Sequence, residues 1–229
     1  MYAYELMSGL LGMHLVKSSV LGAVLAIGMA NLAQAEFQLS LYSGLQSAPD
    51  GNVDGTTGDD TFDFDVEWNG NSTEVPPYFG FRLTWWQSER LGYGIELNHA
   101  KVAASDSTLR NSGFSDLEFT DGLNLLTVNG FHRWSQENRR WDPYIGGGVG
   151  LAIPRVDVEI GANDTFDYQI TGPAVVFMAG ATYELDESWS VFGEYKGSYS
   201  SNTADLEDGG ELETDVITNA VNVGLTFNF

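Results

Sequence analysis

The sequence predicts an all-β chain: eight antiparallel strands closing into an up-and-down barrel that crosses a membrane. Three observations predict it. First, period-two alternation recurs along the chain. In the stretch Asn219 to Phe229, Val221, Val223, Leu225, Phe227 and Phe229 share one face, and Asn222, Gly224, Thr226 and Asn228 share the other. Successive strand side chains point to opposite faces, so such a strand is greasy outside and small and polar inside when its outside meets lipid. Second, the N-terminal segment reads as a secretory signal: Lys17, an apolar run from Val20 to Leu32, then the small-x-small site Ala33-Gln34-Ala35. Third, short and long connections alternate, as tight periplasmic turns and longer outer loops do in such barrels.

The expected division is a signal peptide over 1–35 and a barrel over 36–229, in the outer membrane of a Gram-negative bacterium. A transmembrane helix over the first segment is disfavoured by Gly22, Gly28 and the short apolar run. The strands are expected at Glu36–Leu45, Tyr78–Gln87, Leu91–Val102, Leu117–Trp134, Pro143–Ile153, Val175–Leu185, Trp189–Ser198 and Asn219–Phe229. In the first, Phe37, Leu39, Leu41 and Leu45 are in phase, and in the fifth Ile145, Val149 and Leu151 alternate with Gly146, Gly148 and Gly150. Short turns fall at Ser88–Arg90, Ser135–Arg140 and Asp186–Ser188; long connections fall at Gln46–Pro77, Ala103–Asp116, Pro154–Tyr168 and Ser200–Asp215. The alternation Phe62, Phe64, Val66, Trp68 inside the first long connection predicts a strand extension or hairpin above the membrane. Trp85, Trp86, Trp134, Trp141 and Trp189 all lie beside the short turns, as an interfacial aromatic belt requires.

Thirty-two acidic residues against 10 basic ones give a net charge of −22, which excludes a general nucleic-acid binder. The chain has no cysteine, hence no disulfide and no thiolate metal site. It carries no nucleotide-binding glycine fingerprint and no G-x-S-x-G elbow. Arg82, Glu96, Arg133, Glu184, Glu194 and Lys196 fall in the phase opposite the apolar face, so they are expected to pair inside the wall.

His99 continues the lipid-facing phase of Leu91, Tyr93, Ile95 and Leu97, followed by Lys101 in the same phase. A strand crosses in roughly 9–11 residues, which brings His99 to the outer headgroups. There an imidazole can act as a general base or metal ligand, and Lys101 can hold a substrate phosphate. Glu118 and Asp121 are expected across from His99 on the next strand, making His99, Glu118 and Asp121 the candidate catalytic set. Asp50, Asn52, Asp54 and Gly55 match the opening of a calcium loop, but Thr61 stands where its bidentate Glu belongs.

Longer strings are more specific. LSLYSGLQSAP (Leu39 to Pro49), PPYFGFRLTWWQSERLGYGIELN (Pro76 to Asn98), His99-Ala100-Lys101, LEFTDGLN (Leu117 to Asn124), Thr171-Gly172-Pro173-Ala174, SVFGEYKGSYSS (Ser190 to Ser201) and Glu213 to Phe229 resemble the lipid A oxidases of alphaproteobacterial outer membranes. The resemblance implies oxidation of the proximal glucosamine of lipid A to aminogluconate, with molecular oxygen as oxidant and hydrogen peroxide as by-product. It implies lipid A or lipopolysaccharide as partner, a membrane-embedded monomer, insertion by the barrel-assembly machinery, and no nucleic acid. Such an oxidation calls for a redox centre, and the sequence contains no complete one; a divalent metal ion held by His99 and loop carboxylates is the expectation. The alternative is a non-enzymatic small barrel serving adhesion, envelope integrity or surface binding, which the periodicity fits equally well.

Overall fold

The alternation becomes a closed ring of hydrogen-bonded strands. A computed structural model describes residues 36–58, 60–135, 139–161, 163–207 and 209–229, the side chains of residues 120, 121 and 163 excepted. The expected signal segment and residues 136–138 of the second turn lie outside the described residues. The strands are β1 (Glu36–Ser47), β2 (Gly51–Thr57), β3 (Asp60–Val66), β4 (Trp68–Asn69), β5 (Phe79–Trp86), β6 (Leu91–Ala104), β7 (Phe114–Arg133), β8 (Trp141–Ala152), β9 (Arg155–Ile160), β10 (Asn163–Tyr168), β11 (Gly172–Glu184), β12 (Trp189–Asp205) and β13 (Glu211–Asn228).

The ring runs β1–β5–β6–β7–β8–β11–β12–β13 and back to β1, every pair antiparallel. Leu39 marks the closure, paired with Leu83 on one side and Phe227 on the other. The barrel is therefore up-and-down and eight-stranded, as the periodicity predicts, and Phe37, Leu83, Ile95, Val149 and Val223 are exposed on its outer wall. Phe79, Val191 and Phe227 lie on the same face, partly covered by neighbours. Short turns close one end. At Asp186 the carboxylate accepts from the Ser188 and Trp189 amides, both at 2.9 Å, an Asp-built turn that suits its sequence. Trp134, Trp141 and Trp189 are exposed beside these turns, marking the periplasmic interface. Trp86 departs from the expected belt. It points inward, 6% exposed, because it is an even step from the lumen-facing Arg82 and Thr84; its Nε1 donates to Gln38 Oε1 at 2.8 Å.

At the other end the long connections are not open loops. The strands run on past the membrane, and their two faces exchange character. On β13 the inward Asn222, Gly224 and Thr226 give way to Leu212 and Val216, while the outward Val221, Val223 and Leu225 give way to Glu211, Glu213 and Asp215. The exchange between Asp215 and Ile217 marks where lipid ends and water begins. β2 and β3 form the hairpin that the Phe62–Trp68 alternation predicts, and β9 and β10 form another. Val53, Val66, Leu117, Phe119, Val156, Val158, Ala204 and Leu212 meet in a buried apolar core above the barrel. Phe62 and Phe64 pack against Phe114 at ring-centroid distances of 5.2 and 5.3 Å. Burying a Val or Leu side chain is worth about 1.5–3 kcal/mol, so this crown is a packed layer. A short helix, Asp106–Ser112, seals one side. Ser105 Oγ caps it by accepting from the Thr108 amide, and Gly113 ends it at φ 84°. Gln169 stitches two hairpins together: its amide donates to the Asp205 carbonyl and accepts from the Asp205 N–H. The hairpins turn at Gly58, Gly161 and Gly209, all at positive φ with open space around them.

Candidate functional site

Inside the wall, Arg82 from β5 is the hub. Its guanidinium donates to Glu96 Oε2 at 2.5 Å and to Glu194 Oε1 at 2.9 Å. Lys196 pairs with Glu96. Tyr42 Oη donates to Glu96 at 2.6 Å and Tyr144 Oη donates to Glu194 at 2.7 Å. These four charges are all but fully buried and mutually satisfied, as buried charges must be. Arg133 and Glu184 are not part of this network. Arg133 lies at the periplasmic mouth, bonded to Glu36 at 2.8 Å, and Glu184 is exposed there, since both stand at strand ends beyond the hydrocarbon layer. A cavity of about 570 Å³ opens at this mouth, and a second of about 30 Å³, room for a water or two, lies beside Arg82. With the polar network in the middle and the crown core above, the lumen is closed.

The outer face at headgroup level carries the candidate residues. His99 lies between Phe79 on β5 and Asn124 on β7 in register. Its ring stacks on Phe79, centroids 4.9 Å apart, and its Nδ1 is 2.9 Å from Asn124 Oδ1. Its position is in the predicted outward phase, yet the side chain is only 5% exposed. The cover is a bulge. Between the pairs Ala100–Leu123 and Val102–Phe119, Lys101 alone stands opposite Thr120, Asp121 and Gly122. Gly122, at φ 90°, lies so close that a Cβ there would be 2.3 Å from His99 Nδ1. Only glycine fits.

The same bulge shifts the carboxylates. Glu118 pairs with Ala103, and Asn124, not Glu118 or Asp121, stands across from His99. The side chain of Asp121 lies outside the described residues. Lys101 is buried on the outward face, 3.5 Å from Glu74 Oε2. Glu118 shares that face, and its carboxyl is lifted above the ordinary value by burial and by Asp116, Asp157 and Glu74, against the pull of Lys101. Glu74, Ala103, Asp116, Glu118 and the helix start border a cleft of about 530 Å³.

At His99, Nδ1 is engaged by Asn124 and Nε2 is buried without a partner among the described residues; Glu118, one of the two expected carboxylates, is four positions away. Among the described residues no group of three or more His, Cys, Asp or Glu side chains is arranged to hold an ion. The matched opening of a calcium loop is also a strand: Asn52 and Asp54 lie along one face of β2, with Asn52 Nδ2 donating to Asp63 at 2.9 Å. Sequence reasoning missed Asn124 and Gly122. Their only signal is a glycine and an amide just inside LEFTDGLN.

Comparison with known proteins agrees with this architecture. No curated protein matches the sequence. Among solved structures, the outer membrane protein AlkL, determined in lipid bilayers, is 16% identical, with 86% of this chain and 90% of that one covered at a TM-score of 0.54. Neisserial surface protein A is 12% identical, with 85% and 97% covered at 0.47, and the N-terminal barrel of Pseudomonas aeruginosa OprF is 11% identical, with 86% and 100% covered at 0.40. At these identities the likeness concerns the fold alone. Residues 19–229 match the outer membrane protein beta-barrel domain, and the chain belongs to that family of Gram-negative outer-membrane proteins.

Proposed function

We propose that this barrel oxidises the proximal glucosamine of an outer-leaflet lipid A lacking its 1-phosphate. The anomeric C–H and O–H bonds are lost as C1 becomes a lactone carbonyl; oxygen takes up the two electrons and two protons and leaves as hydrogen peroxide. Water then opens the lactone to the aminogluconate. The resemblance along almost the whole of residues 36–229 supports this reading. The observation that carries it is the polar cleft bordered by Glu74, Asp116 and Glu118, with Lys101 paired to Glu74 behind it, set on the outward face immediately above the apolar band. On this reading Glu118, with its raised carboxyl, accepts the anomeric hydroxyl proton, and Lys101 holds an anionic group of the substrate. Asp121 is assigned the same proton transfer as an alternative base, and His99 is a positioning residue. The electron acceptor is oxygen, and no step is assigned to a metal. Residues 1–35 act as the secretory signal, and the assembly machinery inserts the rest as a monomer.

Mass spectrometry of lipid A from a host with and without the chain tests the proposal. A gain of one oxygen on the 1-dephosphorylated species supports it. Purified barrel that releases no peroxide from that substrate overturns it. His99→Ala should keep the heat-modifiable band and lose oxidation. A second reading is a non-enzymatic small barrel serving adhesion, envelope integrity or surface binding, which the outer-membrane barrel fold fits equally well. It predicts unchanged lipid A.

A further inference from the structure

In the crown, Lys101, Arg110 and Arg155 are the basic residues among many carboxylates. Arg155 opens β9, paired with Tyr168 of β10. Val156 and Val158 are buried in the crown core, so Arg155 points the other way, outward. Phe166, Tyr168 and Ile170 project on that same outer side, 50%, 54% and 67% exposed. The guanidinium lies 3.5 Å from the Phe166 ring centroid and 5.8 Å from that of Tyr168.

An outer surface with such large apolar side chains is unusual for a hairpin standing in water. Its neighbours explain it. Directly below, Val175 and Phe177 of β11 and Leu151 of β8 are exposed on the lipid-facing wall. The Thr171 amide bonds to the Ala152 carbonyl and the Gln169 amide to the Pro154 carbonyl, so Ile170 and Tyr168 continue that wall upward without a break. Arg155 is four residues beyond Leu151, about 13 Å along the strand. That puts a cation on an aromatic bed just past the acyl chains. The same outer face carries Lys101, reached across the pairs Ala103–Glu118 and Glu118–Asp157.

We infer that Arg155, Phe166 and Tyr168 form a ledge that holds the anionic sugar headgroup of an outer-leaflet glycolipid. Continuity with the lipid-facing wall names the occupant. The guanidinium pairs with a headgroup phosphate, and the aromatic faces cover the apolar side of its sugar. The ledge thereby supplies a second anion contact beside Lys101, and it rests on the reading that lipid A is the ligand, not on its oxidation.

The test uses the full barrel in nanodiscs of neutral phosphatidylcholine doped with 1-dephosphorylated lipid A or, separately, phosphatidylglycerol. Lipid A retained per barrel is read by native mass spectrometry. Arg155→Gln with Phe166→Ser should weaken lipid A retention about tenfold, the loss of one charge-assisted contact. Arg90→Gln, in a short turn at the opposite end of the barrel, should leave it unchanged. Heat-modifiable mobility verifies that each variant is folded, and Arg155→Lys should restore part of the retention if the double variant folds poorly. Unchanged lipid A retention in the double variant overturns the ledge. So does an equal loss of phosphatidylglycerol, which marks general anion attraction. Retention lost in the variant, in a wild type that oxidises nothing, would uphold the ledge while the enzymatic reading fails.

Discussion

The same strands build two regions of opposite construction. In the membrane wall the polar side chains are inside and the apolar ones outside; in the crown the apolar ones are inside and the carboxylates outside. β13 passes from one to the other within Asp215 to Ile217 without a break in its pairing. The difference shows that strand alternation sets only the two faces, while the solvent on each side decides which face is greasy. It also shows two ways of filling a closed sheet. The wall is held by Arg82, Glu96, Glu194 and Lys196, a directional network whose members need each other. The crown is held by Val53, Leu117, Val156 and Leu212, a packed apolar core.

Variants should separate these regions. The largest effect is expected in the wall. Arg82→Leu leaves Glu194 without its cation and Glu96 with Lys196 alone, and breaking a buried pair costs about 3–5 kcal/mol. Urea unfolding in micelles, followed by tryptophan fluorescence, should shift far down; an unshifted midpoint would show that the network is ornamental. Leu212→Ala should cost about 2–5 kcal/mol but only in the crown. Limited proteolysis should nick the outer hairpins while the heat-modifiable band persists, and joint loss of both would mean one cooperative unit. Gly122→Ala meets the His99 ring and a left-handed backbone, a strain of about 1–3 kcal/mol. It should expose His99 to diethylpyrocarbonate, with little change in the wall.

The smallest effect is pH-dependent and confined to the crown. Glu118 is raised above 4.5 first by burial, and Glu213 above 4.5 first by Asp54, its cross-strand partner. Raised carboxyls bind more protons in the native state than in the unfolded chain, so stability increases as pH falls from neutrality into the window above 4.5. Glu67 has the opposite sign: Ser107 and Ser105 lower it, and its contribution is lost below 4.5. Protease resistance of the crown should therefore rise on mild acidification and fall again on stronger acidification. Glu213→Gln should flatten the first limb. A monotonic profile would contradict this assignment.

Much of the wall was legible because lipid outside and a crowded polar lumen inside give maximal contrast at period two. The turns were legible too, from Asp186 and the interfacial tryptophans. In the crown the contrast is reversed and thinner, so its strands look like connections: Ala204, Leu212 and Thr214 face in while Thr203, Glu213 and Asp215 face out. For Trp86, nearness to a turn does not specify a face, whereas its parity with Arg82 does. At the site, the phase of His99 was readable, but its burial was not. It depends on a bulge that places Lys101 alone against Thr120 to Gly122, and no periodic pattern announces where a strand takes in extra residues.

The hairpin tips at Gly58, Gly161 and Gly209 point into open space, above a crown already closed by its own core. What the tips carry is therefore invisible to the wall. Substitutions at these glycine turns should therefore leave the barrel beneath unchanged, so summit and wall can vary independently of each other.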